Sequence, residues 1–404
     1  MANTLKFGNG EWYGKQDTIL AYNDENSNYK PLPFDYERGS TATRINKEGL
    51  IETVGANEPR IDYKDDVKGA LLLEPSRTNS LLQSNQFDTT WSTSSGVTIL
   101  SEQTISPDGN NNGWKFEKTA ASYKSIGQSY TSSSETTFSI FAKKGTLNII
   151  TLFCNISGAT NLYQRFDLEN GIISTGSGMS SSNMEDYGNG WYKCSSTFTN
   201  ANVTSLDYFP DFAEINSGYI YIFGAQAEQG SYSTSLINTQ GTVQTRLADE
   251  CEQTPPDGVI GQTELTIFYQ GIVERLGGND GHAITLSQSA DGAGSSRVLL
   301  YRNSSNGNMY VYIQDTTTQF STPLLANSNP QINDKYAIAI KDNDLVVYCN
   351  GVKVSENNYG TIPATQYLIL NKWNNQINEQ NKIKEVKLYN TRLSNSELAA
   401  LTQV

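Results

Sequence analysis

The histidine content of the chain restricts the chemistry that it could perform. His282 is the only histidine among 404 residues, and it ends the turn-rich run Gly277–His282. A mononuclear histidine-based metal centre and an H-E-x-x-H metalloprotease site are therefore excluded. A Ser-His-Asp triad would have to use His282, and the sequence has no G-x-S-x-G elbow to supply the nucleophile. We expect His282 to be a surface-loop histidine.

Carboxylates are the remaining catalytic option, because glycoside hydrolysis needs only two Asp or Glu side chains. The acidic clusters are Asp249–Glu252, Glu185–Asp186 and Asp342–Asp344. None of them alternates in a way that would place two acids on one face of a strand. We interpret all three as solvated turns or linkers, and Asp342–Asp344 as a hairpin turn. Such turns could also hold Ca²⁺ through oxygen ligands, but no spacing here is diagnostic. The sequence therefore predicts no catalytic residue, no metal site and no cofactor.

The cysteines indicate neither a zinc site nor a disulfide framework. They are far apart and form no C-x-x-C pair: Cys154, Cys194, Cys251 and Cys349. Two of them, Cys154 and Cys349, end apolar runs, so we predict that they are buried strand residues. The sequence also lacks a P-loop and a dinucleotide-binding fingerprint.

The charge of the chain argues against several partners. Its 29 basic and 42 acidic residues give a net charge of −13, and no Lys/Arg-rich run occurs. A nucleic-acid-binding protein needs a basic face, and an anionic membrane would repel this chain. No apolar stretch approaches the ~20 residues of a membrane span, and the first residues lack the apolar core of a signal peptide. We expect a soluble protein that is not exported by the usual route.

Residues 1–80 carry little hydrophobic periodicity. Turn chemistry recurs at Phe7–Gly10, Asn23–Asn26 and Pro31–Pro33, and the prolines disfavour helix and central strand. We therefore predict an irregular segment that gains order by packing on a neighbour or on other copies of the chain. Its short extended pieces are expected at Thr18–Tyr22, Leu50–Val54 and Ala70–Glu74.

The remainder of the chain alternates apolar and polar residues with a period of two, which is typical of half-buried strands. In residues 81–250 the alternation is clearest at Thr137–Ala142 and Gly218–Gly224, and Asn-Gly pairs mark hairpin turns. A linker is expected at 251–262. A second β unit, 263–404, includes a hairpin at Asn350-Gly351. The pair Ser394 and Glu397 predicts a capping box and a helix near 395–402.

The predicted fold class is therefore all-β. It comprises two β-sandwich or jelly-roll domains after an irregular N-terminal segment, with one short C-terminal helix.

Several phrases of the N-terminal segment resemble a known family. Thr41–Glu52, Pro59–Tyr63 and Leu71–Asn79 resemble the N-terminal signature of tailed-bacteriophage structural proteins, among them tail fibres, head fibres and spikes. The start, Leu5–Trp12, is similar to fibre-like proteins of crAss-like phages of gut bacteria.

The later parts of the chain extend this resemblance. Gly188–Tyr192, Tyr221–Glu228, Tyr232–Ser235 and the closing phrase Gly241–Asp249 resemble a phage module that is related to carbohydrate-binding β-sandwiches. The C-terminal unit resembles concanavalin-like, laminin G-like jelly rolls. That likeness is carried by Leu345–Val354 and Ile383–Ser394.

The resemblance implies a subunit of a virion fibre that is made in the host cytoplasm and assembles as a homotrimer. It further implies that the fibre contacts host-surface glycans during adsorption. The weak periodicity of residues 1–80 predicts that they attach the fibre to capsid or tail proteins or form the trimer. A capsid-bound head fibre or decoration protein with a mainly structural role is the alternative. A glycan depolymerase is a second alternative, against which stands the lack of an interpretable acid pair, so we expect no enzyme. No heptads occur, so a trimer would not form through a coiled coil.

Aromatic residues beside amides are the candidates for sugar contact, because sugars stack on rings while amides bond their hydroxyls. Trp191 and Tyr192 alternate within a strand, so only one faces the core, and we expect Trp191 to do so. Trp373 reads as a loop residue and is the preferred sugar platform. The remaining candidates are Asn371, Asn374, Asn375, Tyr310 and Tyr312.

Overall fold

The computed structural model describes residues 3–22, 31–119, 123–132, 134–199, 202–212, 216–275, 279–324, 330–358, 360–377 and 379–404. The predicted turn at Asn23–Asn26 lies outside these ranges. The chain divides into two compact units. Unit 1 comprises Met1–Lys47, Val54–Ser76 and Leu247–Val404, and unit 2 comprises Glu48–Thr53 and Arg77–Arg246.

The N-terminal part of the chain forms short strands. They are β1 (Leu5–Gly8), β2 (Gly14–Lys15), β3 (Thr18–Tyr22), β4 (Pro31–Glu37), β5 (Ala42–Ile45), β6 (Ile51–Val54), β7 (Ile61–Asp62) and β8 (Ala70–Leu73).

The strands of unit 2 follow without a helix between them. They are β9 (Arg77–Asn79), β10 (Ser92–Thr93), β11 (Val97–Thr104), β12 (Gly113–Lys118), β13 (Ile126–Ser129), β14 (Glu135–Lys143), β15 (Ile149–Ile156), β16 (Leu162–Asp167), β17 (Ile172–Ser177), β18 (Ser181–Asp186), β19 (Trp191–Thr199), β20 (Val203–Pro210), β21 (Gly218–Gln229) and β22 (Gln244–Arg246).

The C-terminal part of unit 1 contains longer strands and the predicted helix. They are β23 (Glu250–Gln253), β24 (Glu264–Arg275), β25 (Gly281–Ser287), β26 (Ser296–Arg302), β27 (Met309–Asp315), β28 (Thr317–Pro323), β29 (Lys335–Lys341), β30 (Asp344–Cys349), β31 (Val352–Asn357), β32 (Tyr367–Leu370), β33 (Gln380–Tyr389) and α1 (Asn395–Thr402). The all-β class and the short C-terminal helix are thus confirmed.

Unit 2 is a β-sandwich. Its described strands form two antiparallel sheets, in the orders β10-β13-β20-β15-β16-β17 and β11-β12-β21-β14-β19-β18. The inward side chains of both sheets share one apolar core, which includes Phe116, Phe138, Leu152 and Ile222. The Asn189-Gly190 turn precedes β19 with both residues at positive φ, as the hairpin signal predicted.

Unit 1 is a second sandwich, and it uses both ends of the chain. One layer runs β31-β30-β29-β24-β33 and continues to β1 and β8 beyond β33. The other layer runs β3-β4-β23-β32-β25-β26-β27-β28. Strand β1 pairs with β33 from Leu5↔Leu388 to Gly8↔Glu385. Because β25, β26 and β27 are neighbours in the second layer, their outward side chains share one surface.

The N-terminal segment therefore differs from the sequence-based prediction. Leu5, Phe7, Ile19, Phe34 and Tyr36 all belong to the core of unit 1, so the segment completes the sandwich that 263–404 was expected to form alone. The strands are cut into runs of two to seven residues by turns. Proline enters strand β4 because only β3 pairs with its proline-containing half, while β23 pairs with the half at Asp35–Glu37. The predicted linker likewise contains most of β23.

A buried ionic cluster joins these distant segments within unit 1. Arg38 Nη1 lies 3.0 Å from Asp249 Oδ1, and both side chains are fully buried. Arg60 pairs with the other Asp249 oxygen and, at 2.6 Å, with Glu74. Tyr36 donates its hydroxyl hydrogen to Asp249. Two cations thus balance two anions away from solvent, and Asp249 is a structural ion rather than the solvated linker residue that we expected.

The pKa values in this cluster show how strongly its charges are coupled. Burial alone would lower the pKa of Arg60, but Asp249 and Glu74 outweigh it and raise that pKa. Burial, followed by the Asp249 charge, raises the pKa of Tyr36. Arg60, Glu74 and Asp249 stand in the phrases Pro59–Tyr63, Leu71–Asn79 and Gly241–Asp249, so part of those phrases encodes buried ion pairing.

Helix α1 covers the outer face of the first layer of unit 1. Ser394 is its N-cap and forms the predicted capping box with Glu397. Leu398 of the helix packs with Phe268, Tyr348 and Tyr389 in a small apolar cluster. In the part of the chain that the structure describes, no helix is long and apolar enough to cross a membrane.

Candidate functional site

A groove of about 500 Å³ lies on the outer face of the second layer of unit 1. This volume is within the range typical of small-ligand sites. The described lining residues combine rings with polar side chains: Asn279, Asp280, His282, Arg297, Leu299, Tyr301, Ser304, Tyr312, Trp373 and Gln376.

Strand alternation places these side chains on one face. Along β26, Val298 and Leu300 enter the core, so Arg297, Leu299 and Tyr301 face outward. Strand β25 carries a register shift between His282 and Ile284. This bulge lets Ile284 enter the core while His282 lies opposite Tyr301 on the outer face.

Four rings stack in a row across the strands. Trp373 and His282 have centroids 5.4 Å apart with planes at 19°. His282 and Tyr301 follow at 5.7 Å and 21°, and Tyr301 and Tyr310 at 5.4 Å and 29°. The last two pairs are direct cross-strand partners, so the register of β25, β26 and β27 builds the row.

Trp373 is held at the end of this row by a tight turn. Its backbone N–H donates to Gln376 O at 3.2 Å, and the Gln376 N–H donates back at 2.9 Å. Asn374 and Asn375 form the tip between them with φ of 51° and 55°. Asparagine tolerates this left-handed backbone conformation better than most residues, so Asn374 and Asn375 suit the tip of the turn.

None of the three predicted amides, Asn371, Asn374 and Asn375, lines the groove. Asn374 and Asn375 are exposed but do not line the groove. Asn371 is fully buried, and its Nδ2 donates to Glu379 O at 3.4 Å. It follows the last residue of β32 at a φ of 61°, and its side chain lies inside the protein. Asn371 therefore does not contact a ligand in this arrangement.

The two predicted tyrosines take different places. Tyr312 lines the groove, and its hydroxyl donates to Gln314 Oε1 at 2.8 Å. Tyr310 lies beyond the lining as the outer member of the ring row, where its hydroxyl accepts from Asn306 Nδ2 at 3.0 Å. Trp191 and Tyr192 belong to unit 2. Trp191 is 1% exposed, but it lies outside the shared core of unit 2, and its Nε1 donates to Ile105 O at 2.9 Å. Tyr192 packs against that core, so our expectation that Trp191 is the one to face it was wrong, although Trp191 is buried.

His282 corrects our expectation of a loop histidine. It is 8% exposed within β25, because the turn signals end just before it and the strand begins at Gly281. Burial lowers the pKa of His282 to about 4, which outweighs the opposing effect of Asp280. The imidazole is therefore neutral at pH 7 and stacks as an uncharged ring.

Two further polar groups flank the rings. Asp280 Oδ1 accepts from the Ser304 backbone N–H at 2.8 Å and from the Ser304 hydroxyl at 3.0 Å. Burial, followed by the charge of Asp280, raises the pKa of Tyr301 to about 12, so the phenol is protonated and can donate a hydrogen bond. Arg297 lies beside two rings, with its Cζ 5.4 Å from the centroid of Tyr312 and 5.7 Å from that of Trp373.

Sequence reasoning missed Asp280, His282, Arg297 and Tyr301. A signal was present for two of them, since Arg297 and Tyr301 are the polar and aromatic positions of an alternating strand. Among the described residues, no group of three or more His, Cys, Asp or Glu side chains could hold a metal ion. All four cysteines are buried and free, which confirms the prediction for Cys154 and Cys349.

The sequence matches no family model, and the comparison with curated proteins found no match. Solved structures with weak likeness include the CBM40 domain of a Ruminococcus gnavus IT-sialidase bound to α2,3-sialyllactose. It has a TM-score of 0.29 at 14% identity, covering 35% of this chain and 83% of that one. Domain 4 of the arabinanase AbnA from Geobacillus stearothermophilus has a TM-score of 0.30 at 13% identity, covering 43% and 84%. Domains LG4-5 of mouse laminin α1 have a TM-score of 0.25 at 8% identity, covering 77% and 91%. At TM-scores this low the likenesses carry no argument about this chain.

Proposed function

We propose that the groove of unit 1 binds carbohydrate. The observation that carries the proposal is the row of stacked rings from Trp373 through His282 to Tyr301, at the mouth of a groove with polar walls. The flat faces of sugar rings carry C–H groups that pack on aromatic faces, and their edges carry hydroxyls. Trp373 and Tyr312 supply the faces, because Tyr301 is itself stacked between His282 and Tyr310.

Polar groups at the edges of the rings would bond sugar hydroxyls. Asp280 Oδ2 has no partner among the described residues, and it offers an acceptor beside Ser304 and Tyr301. The protonated Tyr301 phenol offers a donor. A sugar hydroxyl can donate one hydrogen bond and accept another. The groove offers a partner for each, an acceptor on Asp280 and a donor on Tyr301.

Binding without cleavage fits this lining better than hydrolysis does. The described residues of the groove include one carboxylate, Asp280, whereas glycoside hydrolysis ordinarily uses two that flank the scissile bond. We therefore propose a binding protein and not a depolymerase.

We further propose that the chain is a fibre subunit of a phage virion that contacts host-surface glycans, as the phrases around Arg60, Glu74 and Asp249 suggest by resemblance. Homotrimer formation and attachment to capsid or tail proteins belong to the same proposal. The alternative remains a capsid-bound decoration protein. Localisation of the chain on purified particles by electron cryomicroscopy distinguishes fibre from decoration.

A glycan array tests the binding proposal directly. The full chain, labelled through its amines, should bind a subset of the immobilised glycans, and the same soluble glycan should compete. Single sites of this kind are expected to be weak, near millimolar, so a multivalent display of the chain on beads should strengthen the signal. Absence of competable binding in the multivalent format would contradict the proposal.

A further inference from the structure

Arg297 is the feature of the groove that neutral sugar binding leaves unexplained. Its Nη1 donates to Ala293 O at 3.1 Å, and its guanidinium lies beside the rings of Tyr312 and Trp373. In the described ranges, no carboxylate lies within ion-pair distance of it. The neighbouring cation Lys372, by contrast, lies 3.1 Å from a Glu250 oxygen and 2.7 Å from a Glu252 oxygen.

An unpaired guanidinium is notable in this protein because acids exceed bases by 13. The backbone contact and the two rings limit its rotation, so the group is ordered before any ligand arrives. Guanidinium groups bind carboxylates through two parallel hydrogen bonds, and stacking on rings leaves the edge of the fork available for this. Pre-ordering lowers the entropy that such binding costs.

We propose that the groove takes a sugar that bears a carboxylate, with Arg297 binding the carboxylate while the sugar ring packs on Trp373 or Tyr312. This inference rests on the proposed carbohydrate-binding function. Asp280 lines the same groove and would repel a second negative charge, so the ligand carries its carboxylate on one side and hydroxyls on the other. Hexuronates and nonulosonates share this chemistry.

The test uses matched pairs of glycans that differ only in charge. An array would present hexuronate- and nonulosonate-containing oligosaccharides, each beside its carboxyl methyl ester. Wild type should prefer the acid of at least one pair by tenfold or more, and the preference should shrink as salt rises because an ion pair is screened. Competition with the acid and the ester in solution would confirm the ranking.

Substitution of Arg297 separates the charge from the remainder of the site. Arg297→Gln should abolish the preference, so that the acid and its ester bind with equal affinity. Arg297→Lys, which keeps the charge but loses the planar fork, should show an intermediate preference. The matched control is Arg165→Gln in unit 2, because Arg165 also lies beside two rings, Tyr163 and Phe212. That variant should keep the full preference.

The outcomes distinguish this inference from the proposal on which it rests. Competable binding with equal affinity for acid and ester, or an acid preference that survives in a folded Arg297→Gln variant, would overturn the inference and leave carbohydrate binding standing. Absence of competable binding to any glycan would overturn both. Thermal unfolding of each variant shows that the fold is intact, and Arg297→Lys provides a second test if Arg297→Gln is destabilised.

Discussion

The Trp373 indole lies parallel to the His282 imidazole, with ring centroids 5.4 Å apart. Trp373 lies just after the end of β32, and His282 lies near the start of β25. The imidazole covers one face of the indole, and the indole also lines the groove. Because the imidazole is neutral, the indole gains ring stacking here rather than cation–π attraction.

Replacement of Trp373 should separate binding from folding. Trp373→Ala removes a partly exposed ring at the groove, so we expect the fold to survive and the dissociation constant for a glycan ligand to rise roughly fivefold, from about 1 kcal/mol of lost stacking. Calorimetric titration measures the dissociation constant. Under the proposed fibre role, adsorption of particles to host cells should fall as well. Tyr13→Ala, at an exposed ring outside the groove, is the control. Unchanged binding by a folded Trp373→Ala variant would remove the indole from the site.

The stability of unit 1 should depend on pH through His282. An unfolded histidine gains its proton near pH 6.5, whereas burial delays protonation of folded His282 to about pH 4. The unfolded state therefore binds more protons between these values, and stability falls as the pH is lowered from 6.5 to 4, by at most about 3 kcal/mol. Urea midpoints measured across this range should show the slope, and His282→Gln should flatten it. An equal slope in both proteins would show that other groups control it.

The buried ionic cluster should be intolerant of losing Asp249. Asp249→Asn leaves Arg38 and Arg60 buried without the charge that both of them contact, and we expect a loss of about 3 kcal/mol or more in the free energy of unfolding. Glu250→Gln is the matched control, because Glu250 is 45% exposed where it pairs with Lys372 and should cost less than about 1 kcal/mol. Urea denaturation compares the two. Similar small losses would mean that the cluster contributes little.

Removal of residues 1–37 should unfold unit 1. This truncation deletes β1 to β4 and uncovers the core around Leu388 and Val386, which lie opposite Leu5 and Phe7. We expect rapid trypsin cleavage across 247–404. Removal of 395–404 takes away α1 and uncovers only the small apolar cluster that it covers. The remaining part of 247–404 should then stay largely resistant to trypsin. A resistant 38–404 chain would show that the N-terminal strands are dispensable.

Strand alternation and turn chemistry made much of the fold predictable. The Asn350-Gly351 turn and the capping box at Ser394 both follow from local rules. The role of the N-terminal segment did not, because its strands are short and β1, β4 and β8 pair with strands more than 200 residues away. The groove was predicted in part, through Trp373 and Tyr312. His282 was missed because its outward placement depends on a bulge in β25, which no local pattern encodes. Arg297 stands at a polar position of an alternating strand, but only the cross-strand register shows that it lies beside Trp373 and Tyr312.

The pairing of β1 with β33 also sets an order of events during synthesis. The Thr4 hydroxyl donates to Leu388 O, across 384 residues of chain, so β1 leaves the ribosome long before the strand with which it pairs. Unit 2, which is continuous from Arg77 to Arg246 apart from one short segment that precedes it, can close its core while unit 1 is still incomplete. Strands β3 and β4 can pair with each other early, but β4 lacks β23 and β1 lacks β33 until those later strands are made. Their short length and the prolines of β4, Pro31 and Pro33, limit unwanted pairing with other nascent chains during that interval.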